Sequence, residues 1–208
     1  MNEESTHLQF LRADLVPSID VRLEDVVPWI RDCDGRYYQE LIGSRQIDAI
    51  LARWVRNPRS EISLQTSWLL LADEQIVGGY VAIAGRHLAR RRESDLIDLA
   101  RRQGAFSSKE FRQRIQRLHP LLAPVAPNDL YLSKLGAIRQ LDGPAPQQLL
   151  LDHALAKAQH AGLDHLRADV DCTNQSLKSL LLENGFDAYD RRSTADGELT
   201  YLNLIREV

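Results

Sequence analysis

The stretch 128–186 leaves a chain like this few ways to fold. It reads strand, tight connection, helix, strand, helix, and then a Gly-Phe stop. Tyr131-Leu132-Ser133-Lys134-Leu135-Gly136-Ala137-Ile138 is apolar enough for a mostly buried strand. Asp142-Gly143-Pro144-Ala145-Pro146-Gln147 makes a sharp connection. Over 148–160, Leu150, Leu151, Ala154, Leu155 and Ala158 form one stripe at helical spacing, and Gly162 follows as a stop. The segment 166–170 alternates as a strand does. Asn174 then opens a short helix with Leu177, Leu180 and Leu181 on one face, closed by Gly185. A strand whose carboxyl end feeds a helix amino terminus through a tight turn is a ready anion site.

Before this stretch, His7-Leu8-Gln9-Phe10-Leu11-Arg12 reads as a first strand. The spacing of Leu23, Val26, Val27 and Ile30 predicts a helix over 20–32, which Pro28 should kink or end early. Residues 36–43 are short, aromatic and ambiguous. A helix over 46–56 follows from Ile47, Ile50, Leu51, Trp54 and Val55. The apolar runs 68–72 and 76–85, around Asp73-Glu74-Gln75, give the strongest hairpin signal, and Gly78-Gly79 marks a bulge or a close backbone approach. Residues 86–123 are rich in arginine and carry two helical patterns. Their charges read as a solvated surface balanced by Glu93, Asp95, Asp98 and Glu110, or as a basic rim for an anionic ligand. After Phe186 the chain closes on two strands that look like a hairpin.

With 208 residues, the chain is expected to be one domain over 1–208. The formal net charge of −3 carries no polycation signature, so no nucleic-acid partner is expected. No apolar run approaches the roughly 20 residues of a membrane span. Met1-Asn2-Glu3-Glu4-Ser5 is unlike a secretory signal, and Cys33 and Cys172 read as reduced thiols, so a cytoplasmic location is expected. The six histidines show no zinc-site spacing, and no metal is expected.

This layout resembles the GNAT superfamily of N-acetyltransferases. The likeness rests on Asn174, Leu177, Leu180-Leu181 and Gly185-Phe186, on Gly162 after the preceding helix, and on Leu135-Gly136-Ala137 in the central strand. The resemblance implies an α/β fold: a mixed, splayed sheet with helices on both faces. Residues 86–123 would be a helical insertion between the third and fourth strands, and 128–186 the cofactor-binding core. It implies acetyl-CoA as co-substrate, with its pantetheine arm between the parted fourth and fifth strands. Backbone groups of Leu135, Gly136 and Ala137 would hold the arm. The pyrophosphate would sit on amides of Gly143, Ala145, Gln147 and Gln148. Asn174 would hold the arm or a strand edge, or act as a plain helix cap. The closing hairpin could pair with a second copy to make a homodimer.

Two departures from the family's pattern stand out. The pyrophosphate loop fits in two registers, one placing Asp142, Ala145 and Gln147 at its key positions, the other Gln140, Gly143 and Ala145. Pro144 and Pro146 offer no N–H to a phosphate. Leu181 stands where many members carry a proton-donating tyrosine. Tyr37, Tyr38, Tyr80, Tyr131 and Ser133 are candidates only by residue type, and Asp169 and Glu183 read as isolated surface carboxylates. Catalytic acid and base stay unassigned. Two functions follow: an N-acyltransferase moving an acetyl group from acetyl-CoA to a primary amine of a small molecule or peptide, or a GNAT-fold binding or regulatory protein whose catalysis has decayed.

Overall fold

The computed structural model describes residues 7–15, 23–102, 108–141 and 145–208. The chain runs through β1 (Leu8–Arg12), α1 (Leu23–Cys33), α2 (Gly35–Ile42), α3 (Ile47–Arg56), β2 (Ser67–Ala72) and β3 (Gln75–Ala84). Then come α4 (Gly85–Arg102), α5 (Lys109–Leu118), β4 (Asp129–Ala137), α6 (Pro146–His160), β5 (His165–Asp171), α7 (Gln175–Glu183), β6 (Asp187–Ser193) and β7 (Thr200–Glu207).

The strands form one mixed sheet in the order β1-β2-β3-β4-β5-β7-β6. Among the described residues, only β4 and β5 are parallel neighbours. Their pairing starts at Asp129 with His165 and stops at Leu132 with Ala168. Yet β4 continues to Ala137 and β5 to Asp171. The two strand ends therefore part, as the splayed sheet requires.

A bulge sets what faces the gap. Val81 pairs with Lys134 while Ala82 pairs with Leu132, so Ser133 is an extra residue in β4. One extra residue reverses the in-out alternation of everything beyond it. Leu130, Leu132 and Leu135 pack into the core under α6, whereas Tyr131 joins the core under α1 to α5. Without the bulge Lys134 would point into the α6 core.

The β2–β3 turn has Asp73 and Glu74 at φ 48° and 65°. Positive φ at both central residues matches the right-handed twist of the strands. The Gly78-Gly79 expectation holds: Val77 is an extra residue opposite Leu70 and Leu71. A Cβ on Gly78 would lie 2.8 Å from the Gly136 carbonyl oxygen.

One expectation is corrected. Pro28 does not end α1, which continues to Cys33. Proline in a helix interior costs about 3 kcal/mol, but Val26, Val27, Trp29 and Ile30 are all buried, at about 1.5–3 kcal/mol each. The ambiguous segment 36–43 is helical as far as Ile42, with Tyr38, Leu41 and Ile42 turned inward. His153 on α6 stacks its ring on Phe10 at 4.1 Å, and its Nδ1 meets the Tyr80 hydroxyl at 2.9 Å. The stop at Gly162 and the close at Gly185 both have positive φ, 62° and 75°, which a side chain would resist.

Candidate functional site

A groove of about 640 Å³ opens where β4 leaves β5. Trp29 and Cys33 of α1 form one wall; Leu177 and Leu180 of α7 form the other. Leu135, Gly136, Ala137, Ala145, Gln147 and Asn174 all border it, as does Gln140. Gly143 and Asp142 lie outside the described residues. Gln148 stands apart. Its N–H donates to the Ala145 carbonyl at 3.0 Å, and its side chain is tied to Asp152 and Asn184, each at 2.8 Å. The Asn174 side chain accepts from the Leu177 N–H at 3.1 Å, the bond of a helix cap, while bordering the groove.

Two observations make the groove fit an extended chain bearing carbonyls. A Cβ on Gly136 would lie 3.0 Å from both Trp29 Nε1 and Cys33 Sγ, so glycine keeps this wall clear. Trp29 Nε1 is a buried donor with no hydrogen-bond partner, in a residue 5% exposed. A buried donor left unpaired costs about 1–3 kcal/mol, and a ligand acceptor removes that cost. The charge is less suited to phosphates. Among the described residues the lining carries Asp25 and Asp32 but no lysine or arginine. Burial pushes the Cys33 thiol up to about 12, so it is not a nucleophile at neutral pH.

At the parting itself lies a space of only about 20 Å³, bordered by Asp34, Ser133, Lys134, Asp169 and Asp171 among others. Lys134 Nζ donates to Asp34 Oδ2 at 3.1 Å and to the Ser133 carbonyl at 3.0 Å. The other Asp34 oxygen accepts from the Tyr201 hydroxyl. Burial works against the Lys134 ammonium, but Asp34 and Glu61 outweigh it and hold its pKa above the ordinary value. Glu61 accepts from Ser133 Oγ and from Arg92 Nε, the latter at 2.9 Å. Burial alone would raise the Glu61 carboxyl; Arg92, Lys134 and Ser133 bring it below its usual range.

Beyond this throat, on the α1–α5 side, is a second pocket of about 590 Å³. Asp34, Glu61, Tyr131 and Lys134 border its polar end, and Leu41, Ile62, Leu88, Leu118 and Val125 give it apolar walls. Asp34 borders both the throat and this pocket; Cys33 borders both the throat and the groove. Groove, throat and pocket are thus consecutive.

The carboxylates correct the sequence reading. Asp169 is not isolated: it accepts from the Tyr131 hydroxyl at 3.0 Å and from Asn203 Nδ2 at 2.6 Å. Asp95 is not a surface counter-charge: it is 6% exposed and lines the pocket. Burial pushes its carboxyl up to about 8, against the hydrogen bonds from the Glu61 N–H and Ser60. The arginines are only partly solvated. Arg92 is paired with Glu61, Arg117 with Glu40, Asp196 and Glu198, and Arg91 donates to the carbonyls of Pro58 and Ser60.

Of the hydroxyl candidates, Tyr37, Tyr38 and Tyr131 border the pocket, and Ser133 the throat. Tyr80 lies on the opposite face, in the α6 core. Leu181 is fully buried there and brings no polar group. The sequence reading missed Trp29, Asp34, Glu61, Asp95 and Lys134. A lysine inside an apolar strand run was the one available signal.

No family model and no curated protein matches the chain. Solved structures do match its fold. An N-acetyltransferase from Staphylococcus aureus Mu50 is 13% identical, with TM-score 0.64 over 95% of this chain and 100% of that one. A polyamine N-acetyltransferase from Drosophila melanogaster, which forms N-acetylagmatine, is 11% identical, with TM-score 0.55 over 98% and 100%. A GNAT-family acetyltransferase from Bacillus cereus ATCC 10987 is 11% identical, with TM-score 0.52 over 98% and 97%.

Proposed function

We propose that this chain, which has the fold of the GNAT acetyltransferases, transfers an acetyl group from acetyl-CoA to a primary amine of a small molecule or peptide. The parting of β4 from β5 after Leu132 and Ala168 carries the reading, because it leaves a groove on one side and a pocket on the other. The pantetheine arm would lie along Leu135, Gly136 and Ala137. The Trp29 indole N–H and strand amides would face its carbonyls. The amine would enter from the pocket and attack the thioester carbon at the throat. A C–N bond forms and the C–S bond breaks. The Asp34 carboxylate would accept the amine's proton, and the Lys134 ammonium would stabilise the departing thiolate. Ala145 and Gln147 border the groove where the pyrophosphate would rest.

One observation favours a decayed binding protein: the throat is narrow and its ion pair is already closed, with no cation along the described groove lining. Thermal melting with acetyl-CoA and CoA separates the two. A ligand at about 100 times its dissociation constant adds roughly 2.7 kcal/mol. Stabilisation by acetyl-CoA, followed by amine-dependent thiol release, is the expected result. Stabilisation without thiol release across an amine panel would leave the binding protein.

A further inference from the structure

The pocket beyond the throat has no charge to spare in its interior. Among the described residues, Asp34, Glu61, Glu93, Asp95 and Asp169 line it, with Arg92, Lys134 and Arg192. Lys134 is paired with Asp34, and Arg92 with Glu61. Asp169 accepts from Tyr131 and Asn203. Asp95 Oδ2 accepts from Ser60 Oγ at 3.0 Å and from the Glu61 N–H at 2.9 Å, while its Oδ1 is buried out of a ligand's reach. Burial pushes this carboxyl up to about 8, so it carries a proton at neutral pH and adds no charge. Arg192 is tied to Asp190 outside the pocket, and Glu93 is exposed to solvent.

The rest of the wall is hydrocarbon. Leu88 and Leu96 come from α4, Ile115 and Leu118 from α5, Leu41 from α2 and Trp54 from α3. Of the arginines on α4 and α5, only Arg92 reaches the lining. These two helices therefore turn an apolar stripe inward and keep most of their charge outside. At about 590 Å³ the pocket lies within the roughly 300–1,000 Å³ of sites that enclose a drug-sized ligand. Ethylamine held at the throat would leave most of it unfilled. A second ammonium or guanidinium along this wall would lose its water and gain no free counter-charge.

We propose that the acceptor is a primary monoamine with an uncharged hydrocarbon body, and that α4 and α5 supply the wall that selects it. The inference rests on the acyl-transfer reading for the pocket's role as acceptor side. The amino group sits at the throat beside Asp34, and the body runs along Leu88, Leu96, Ile115 and Leu118. These four are specificity residues; they do not touch the reacting carbon.

The test is calorimetric binding of 1-aminobutane, 1-aminohexane and 1,6-diaminohexane, without acetyl-CoA, to the wild type and to Ile115→Asp. Burying one methylene corresponds to about fourfold in affinity. The wild type should therefore bind 1-aminohexane about fifteenfold more tightly than 1-aminobutane, and 1,6-diaminohexane more weakly than 1-aminohexane. Ile115 is only partly buried, and a carboxylate there should erase the preference for 1-aminohexane over the diamine. Equal binding of the two monoamines by the wild type overturns the proposal. So does a diamine bound as tightly as 1-aminohexane, or an undiminished preference in a folded Ile115→Asp. Should the variant not fold, the wild-type series decides alone. A protein that shows the chain-length gain but takes no acetyl-CoA keeps this ligand class and loses the transferase reading. One that acetylates 1,6-diaminohexane as well as 1-aminohexane does the reverse.

Discussion

Lys134 Nζ lies 3.1 Å from Asp34 Oδ2, across 100 positions of sequence, and joins the parting strand to the end of α1. A buried pair of this kind adds little over a well-packed apolar one, but removing one partner leaves the other charge uncompensated. Lys134→Met should destabilise the fold by about 3 kcal/mol. The double variant Lys134→Met with Asp34→Asn should recover much of that loss, so a double-mutant cycle by denaturant unfolding should be strongly non-additive. Additive losses would mean that the two groups act separately.

Trp29→Phe removes the unpaired N–H together with one ring of the buried indole. Stability should fall by about 1–2 kcal/mol, the cavity left by the smaller ring outweighing the relief of the unpaired donor. Acetyl-CoA should bind about tenfold more weakly. Unchanged affinity would remove the indole from the groove's recognition role.

Two glycines should separate packing from function. A Cβ on Gly85 would stand 2.0 Å from the Ala126 carbonyl oxygen, which is backbone and cannot step aside. Gly85→Ala should therefore cost 3 kcal/mol or about that. On Gly136 the clash at 3.0 Å is with side chains of Trp29 and Cys33, which can shift. Gly136→Ala should cost about 1 kcal/mol yet narrow the groove, weakening acetyl-CoA more than it weakens the fold.

Asp95 should show in the pH dependence of stability. Burial lifts its folded-state value from 3.8 to about 8, so the folded protein holds this proton more tightly than the unfolded chain does. The contribution is whole below the unfolded value and is lost as pH rises through about 8. Melting across that window should fall more steeply for wild type than for Asp95→Asn. Parallel curves would show that Asp95 titrates normally.

How much was legible in the sequence follows from the range of each interaction. The α6 stripe, the Gly162 stop, and the run from Asn174 to Gly185-Phe186 are local, and the structure reproduces them. The pocket is not local. Lys134 faces it because Ser133 bulges, and that depends on register against β3. Asp95 reads as one more charge in an arginine-rich helix until Ser60 and the Glu61 N–H, more than 30 positions away, are folded against it. Asp34 looks like a turn residue until Tyr201 and Lys134 reach it. Pro28 does not end its helix because burial of the helix face, a tertiary effect, holds the last turn.

The most direct test of the central claim is a calorimetric titration of acetyl-CoA into the wild-type protein and into Gly136→Ala. A groove between β4 and α7 that holds the arm predicts one saturable site in the wild type, and markedly weaker binding once a methyl group stands beside Trp29. No heat at millimolar acetyl-CoA, with no rise in melting temperature, would contradict it.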